Sequence, residues 1–397
     1  MAACRGDRLS LIFRVLSTRS QTTDLARMID TQQALLSFCR RAQEAGCLAL
    51  DTEFVWNRTY YPQLGVIQVG LSAEDCHLID APAIDDLTPL GQIISNPKIV
   101  KILHDAQQDL TILKRATGAH PHNVFDTRCA AGLAGMSSTS SLAELLENVV
   151  GVSLEKSETR TDWLQRPLSE EQVAYAIEDV CYLHETREKL IERIGEMERQ
   201  EWLREELDAY EDPTLYDERD ERAQYERVKG AGRATPREQA IIRELAAWRE
   251  TEARRRDRPR SHVISDEAIT LLARRKPHTP RDLKDIRGLP RRDTDRVLAL
   301  VQSGLSVPDS QCPRRPRRRR RMDDNAIEEM LARAMEYLRK TSEENALDAP
   351  FVAPRAEVRA MVSEGAQSSS ETFRVLRGWR RALVGEGLIR LVSEEPK

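Results

Sequence analysis

The chain of 397 residues contains no apolar run approaching the roughly 18 residues of a membrane-crossing helix, which excludes a helical span. Its seven cysteines, at 4, 39, 47, 76, 129, 181 and 312, include no C-x-x-C pair. That excludes a zinc ribbon and argues against a secreted disulfide framework, so a reducing compartment, the cytoplasm, is expected. Self-similarity at a solenoid period is also missing. What remains is a chain 40% hydrophobic and 32% charged, long enough for two to four domains at about 100–200 residues each.

The formal charge of −4 hides an asymmetry. Lys229 to Arg321 holds 26 Lys or Arg against 12 Asp or Glu, a net of +14, so the remainder carries −18. An acidic body with a basic appendage suits a metal-using or self-solubilising part joined to a part that holds a polyanion, and charge alone does not decide between those meanings.

Residues 1–23 read as an N-terminal extension. Helical spacing over Thr31–Ala45 ends at Gly46, and short apolar strands follow at Cys47–Leu50, Val66–Val69, His77–Asp80 and Ile99–Leu103. The links between the first three strands are short enough for antiparallel neighbours. A helix starts near Asp105, Val124–Thr127 leads into another with Asp126 or Thr127 as its cap, and serines 137, 138, 140 and 141 introduce a helix over Leu142–Val149. From Ser169 to about Leu207 the pattern reads as one long helix. Strands followed mostly by helices predict an α/β domain over 24–204, a mixed sheet flanked by helices. Residues 205–234 are charged and read as a linker or solvated helix. An all-helical module is expected at 235–307, a Pro/Arg-rich hinge with seven arginines between 314 and 321 at 308–322, and a second small helical module at 323–397.

Asp51 and Glu53 lie at i and i+2 where an apolar strand ends, so alternation sends both carboxylates to one face. Asp109 falls about one turn into the helix after the fourth strand. Tyr175 and Asp179, at i and i+4, are neighbours on the later helix. Singly, each has a structural explanation: an exposed strand end, a dipole-favoured acid in a first helical turn, an amphipathic boundary pair. Together they supply four carboxylates and a phenol from three segments, the oxygen-only donor set that two hard divalent cations need for phosphoryl transfer. No His or Cys stands at matching places to favour zinc.

Three stretches, LALDTEFVWNRTYYPQLGVIQVG (48–70), KILHDAQQDLTIL (101–113) and KSETRTDWLQRPLSEEQVAYAIEDVCYL (156–183), closely resemble the ribonuclease D family. These are 3′→5′ exoribonucleases of the DEDD superfamily with a ribonuclease H-like exonuclease fold. The resemblance implies Asp51, Glu53, Asp109 and Asp179 as ligands of two Mg²⁺ or Mn²⁺ ions, Asp51 bridging both, and Tyr175, which marks the tyrosine branch, as the group that orients the attacking water. It implies release of nucleoside 5′-monophosphates from RNA 3′ ends, with tRNA precursors and small structured RNAs as substrates. The segment ATPREQAIIRELAAWRETEARRRDRPRSHVISDEAI followed by IRGLP resembles the HRDC domain, and the C-terminal stretch resembles a second, divergent copy. A DNA 3′ exonuclease on the same fold, or a non-catalytic RNA-binding subunit of a degradation complex, are the alternatives; the intact acid set speaks against the latter.

Weaker candidates for RNA contact are Phe54, Tyr60 and Gln63 after the first motif, Lys156, Arg160 and Arg166 before the last, and Arg255 and Arg275 in the basic appendage. The clusters Arg254–Arg256, Arg274–Lys276 and Arg291–Arg292 offer phosphate contacts. Tyr61 and Trp163 are expected to pack, and His104 to serve as a structural hydrogen-bonding residue. No membrane and no obligate protein partner are implied, and a monomer is expected.

Overall fold

The computed structural model describes residues 27–154, 161–218, 220–289, 291–313, 324–365, 368–369 and 372–393. They divide into two compact units, one holding the described residues up to Phe54, Leu64–Tyr216 and 324 onward, the other Val55–Gln63 and the described residues of 217–313.

The first unit is built on a six-stranded sheet: β1 Met28–Ile29, β2 Cys47–Val55, β3 Gln63–Gly70, β4 Cys76–Asp80, β5 Val100–Leu103 and β6 Val124–Asp126, in the order β1-β4-β3-β2-β5-β6. β3 and β4 pair antiparallel, Val66 opposite Asp80, as their short link requires. β5 pairs parallel with both β2 (Cys47 opposite Val100) and β6 (Lys101 opposite Val124), and β1 pairs parallel with β4. The sheet is therefore mixed, with β2 at its centre.

Strand alternation sorts the apolar side chains into two cores. Ala49, Val66, Leu78 and Ile102 face one; Leu48, Leu50, Ile67, Ile79 and Leu103 face the other. The first core contains Ala176, Ile177 and Val180 of helix Glu170–Cys181; the second contains Leu110 and Leu113 of helix Gln107–Thr117 and Leu35 and Phe38 of helix Gln32–Ala45. Thr31 caps the latter by accepting from the Ala34 backbone N–H, and Gly46, at φ 66°, ends it.

Three expectations are corrected. The long helix expected from Ser169 to Leu207 is three helices, Glu170–Cys181, Leu183–Glu196 and Gln200–Asp208, with Glu198 at φ 56° making the second break. A periodic pattern is preserved across such breaks when successive helices bury the same face. The stretch read as a linker carries short 3₁₀ turns. Tyr216 is buried in the second core with Tyr210 packed against it, and Tyr225 packs on the helical module. Isolated aromatic anchors of this kind leave no helical periodicity to read. The C-terminal segment is no separate appendage: Leu331, Val352, Val358, Trp379 and Leu388 belong to the same core as Ala176 and Val180.

The second unit is an all-helical bundle of Pro236–Arg256, Asp266–Arg275 and Thr294–Ser306 around Ile241, Leu245, Ile269, Leu272, Val297 and Val301. Thr235 and Glu238 form a capping box at its first helix. Gly304 lets two helices touch, since a Cβ there would lie 2.5 Å from the Ile241 Cα. The extension 1–23 and the arginines of 314–321 lie outside the described residues. No described helix is long and apolar enough to cross a membrane.

Candidate active site

β2 carries Asp51 and Glu53 on the parity of Ala49, the face covered by helix Glu170–Cys181, where Tyr175 and Asp179 sit. Ser169 caps that helix in a reciprocal box with Gln172, fixing where its first turns begin. Asp109 arrives from the opposite face, in the first turn of helix Gln107–Thr117. It is held there by Thr52, whose hydroxyl donates to Asp109 Oδ1. Gln68 of β3 donates from Nε2 to Asp51 Oδ2 at 3.4 Å, while its own Oε1 is buried with no hydrogen-bond partner. Trp163, buried against the domain, lies tilted beside Tyr175 at 6.2 Å between ring centroids.

The four acids and Tyr175 are all pushed toward their protonated forms, each by burial first. Asp51 is held well above its ordinary value, first by burial, then by the charges of Asp109, Asp179 and Glu53. Burial and Asp109 push Glu53 up to about 7. Burial, then Glu53, Glu178 and Asp109, push Asp179 up to about 8. Asp109 rises to about 6 through burial, which outweighs the Thr52 hydrogen bond. The Tyr175 phenol is raised by burial and by Asp179, Glu53 and Asp51. The four acids thus lie within electrostatic reach of one another, and Tyr175 within reach of three of them. Carboxylates gathered this way without a balancing cation pay a large desolvation and repulsion cost.

Among the described residues, no three His, Cys, Asp or Glu side chains are drawn tightly enough together to form a finished ion cage. The donor chemistry still fits hard divalent cations: four carboxylates, a neighbouring amide oxygen with an unused lone pair, and no thiolate or imidazole. Thr52 and Gln68 were missed in the sequence. Their position between or beside the acids on adjacent strands was the available signal.

The weaker candidates separate clearly. Arg166 is not available for phosphate: it donates to both oxygens of Asp80 and to the carbonyls of Gly65, Trp163 and Gln165, so a phosphate-like bidentate partner is already present inside the protein. Tyr60 is not a free stacking ring, for reasons taken up below. Arg255 is paired with Glu252, Arg254 with Glu218 and Glu221, and Arg256 with Glu252 and Asp293, so this arginine triplet is internally neutralised. Arg275 is exposed in the last turn of its helix, Phe54 is half-buried, and Gln63 is exposed at the start of β3. Lys156 and Arg160 lie outside the described residues. His104 bonds Thr127 and the Ser140 carbonyl, the structural role expected of it.

Comparison with known proteins gives a consistent result. The family described as 3′-5′ exonuclease matches residues 26–194, and the HRDC domain family matches residues 238–301. The chain is 45% identical over 256 residues to a ribonuclease D of Desulfotalea psychrophila, covering 64% of this chain and 68% of the relative. It is 34% identical over 370 residues to a ribonuclease D of Nitrobacter hamburgensis, covering 92% and 94%. The crystal structure of Escherichia coli RNase D, an exoribonuclease involved in structured RNA processing, superposes with a TM-score of 0.83 at 30% identity, over 93% of this chain and 99% of that one.

Proposed function

Because the chain belongs to the ribonuclease D family and is an exoribonuclease, we propose that it removes nucleoside 5′-monophosphates one at a time from RNA 3′ ends with the help of two divalent cations. The observation that carries this reading is the convergence of Asp51, Glu53, Asp109 and Asp179. Those four carboxylates would hold the cations, Mg²⁺ or Mn²⁺. When bound, such ions neutralise charge on the phosphodiester and lower the pKa of an attacking water.

The remaining work falls to the chain's own groups. Tyr175, its phenol pushed above the ordinary value by burial and three carboxylates, keeps its proton and can donate a hydrogen bond from Oη. It therefore orients rather than deprotonates. Gln68 steadies Asp51 through Nε2, and Thr52 fixes the rotamer of Asp109, so two of the four acids are positioned from behind. Burial of the cluster keeps its electrostatic interactions strong.

The same reading gives residues 24–204 the hydrolysis and the 235–307 module a role in holding RNA through exposed cations such as Arg275. It takes structured RNAs, tRNA precursors among them, as substrates in the cytoplasm. The six described cysteines, all free thiols, are in keeping with a reducing compartment. Incubation with 5′- and 3′-labelled single-stranded RNA, with and without EDTA, tests the proposal. Immediate release of labelled 5′-mononucleotide from the 3′ end alone, abolished by chelator and outcompeting a DNA strand of equal length, is expected. Release from the 5′ end, or turnover in chelator, sinks it.

A further inference from the structure

The sequence places a cluster of aromatics directly after the first pair of acids, and the structure separates the one that is exposed from the one that is used internally. Tyr60 is fully engaged. Its hydroxyl donates to Glu250, which is 1% exposed, and accepts from Arg254 Nε and Arg260 Nη2 at 3.1 Å each. Both guanidinium groups also lie over its ring, at 5.6 and 4.7 Å from the centroid. Its backbone N–H donates to Asp257 at 3.1 Å, and its ring meets Tyr61 edge-on at 4.5 Å. Tyr61 in turn donates to Glu218. The loop between β2 and β3 is thus pinned within its own unit, at residue 60 by the helical bundle and at residue 61 by Glu218.

Trp56, at the other end of that pinned loop, is 73% exposed, well beyond any other large apolar residue described. It follows Glu53 by three residues, so the two Cα atoms are at most about 11 Å apart however the two units are arranged. Stacked nucleotides advance roughly 3.4 Å each along a strand, which puts the last few bases of an RNA threaded to the acids within reach of the indole. An exposed indole on a braced loop offers a base a flat apolar face, and any base can use it.

We propose that Trp56 is a base-stacking residue for the RNA substrate, presented on a loop that Tyr60 and its Glu250–Arg254–Arg260 partners hold in shape. The proposal rests on the exoribonuclease reading, and it moves the aromatic contact from Tyr60 to Trp56. A stacked base contributes enough that Trp56→Ala should weaken RNA binding about tenfold, while Trp56→Phe keeps most of the affinity.

The test uses the full chain, a 5′-fluorescein oligouridylate in EDTA, anisotropy for Kd, and photocrosslinking from 5-iodouridine placed at successive positions from the 3′ end. The expected result is an adduct on Trp56 from one of the last few positions, together with the tenfold loss in Trp56→Ala and its rescue by Phe. Equal affinity of wild type and Trp56→Ala, a Phe variant as weak as the Ala variant, or an adduct on Phe54 instead, overturns the proposal. A wild-type chain that fails to shorten the RNA once Mg²⁺ is restored brings down the exoribonuclease reading, and this one with it.

Discussion

Two charged clusters in this protein are built on opposite principles. Around β2, four carboxylates meet with burial and one another as their main influences, and each is pushed toward its neutral form. In the helical bundle, Glu250, Arg254 and Arg260 close around the Tyr60 hydroxyl, Arg255 and Arg256 share Glu252, and the charges balance within the fold. There the arginines push Glu252 down to about 2 and hold Glu250 below its ordinary value despite burial. A balanced cluster holds structure together without outside help. An unbalanced one is stable only if something of opposite charge joins it. Charge density alone therefore says little about function; whether the charge is answered inside the molecule says much more.

The sharpest way to break this contrast is to remove an acid from each kind of cluster. Asp51→Asn should cost on the order of 10³-fold or more in hydrolysis rate, because several kcal/mol of transition-state stabilisation depend on the cations it would hold. Thermal stability should stay level or rise, since one repelling charge is gone. A loss of stability comparable to the loss of rate would place Asp51 among the structural acids.

The opposite result is expected at Glu206, the buried partner of Arg380 where the C-terminal segment joins the first core. Arg380, 2% exposed, pairs with both Glu206 oxygens, and Trp379, stacked on Trp202 at 4.8 Å, donates to the same carboxylate. Glu206→Ala strands a buried guanidinium and should destabilise the fold by about 3–5 kcal/mol, read by denaturant unfolding. Burial raises the Glu206 pKa, but Arg380 more than offsets this and holds it below its ordinary 4.5. A lowered folded value means the pair's stabilisation is present above about 4.5 and is lost as pH falls through the folded value. Melting temperatures taken downward through that range should drop for the wild type and stay flatter for the variant.

Tyr175→Phe should slow hydrolysis roughly 10²-fold while leaving RNA affinity in EDTA untouched, as expected for a group that aligns rather than reacts. An unchanged single-turnover rate removes its positioning role.

The smallest effect separates paired from exposed arginines. Arg275→Gln should reduce the slope of log Kd against log salt by about 0.7 if it meets one phosphate of a single strand. Arg255→Gln, whose charge is already answered by Glu252, should leave the slope unchanged. Such substitutions are better probes than truncation at residue 229, because removing everything beyond it would strip Val352, Trp379 and Leu388 from the first core.

Much of this was legible in the residues. The five members of the acid cluster follow from strand parity, from i to i+4 spacing and from their order along three motifs. Helices Gln32–Ala45 and Leu142–Val149 announced themselves through apolar spacing, through Gly46 and through the serines before Leu142. Arg166 was misread because a basic residue beside a motif looks the same in sequence whether it meets a phosphate or an internal carboxylate; Asp80, which claims it, lies 86 positions away. The break at Glu198 was invisible because a left-handed residue need not be glycine. The membership of Trp379 and Phe351 in the first core escaped because nothing in an amphipathic segment says which of several cores it will cover.

Local rules of period and capping, with the chemistry of side chains spaced a few residues apart, were enough to determine the alternating strands and to single out four acids and a phenol on β2 and two helices, while the resemblance of three motifs supplied the family. Those rules act over distances the chain itself fixes. Tertiary structure alone decided which charges are answered and by whom: Arg166 by Asp80, Arg254 and Arg260 by Glu250, Arg380 by Glu206, with Trp56 left facing water. Pairing between residues remote in the chain depends on how the cores pack, and packing is a property of the whole fold.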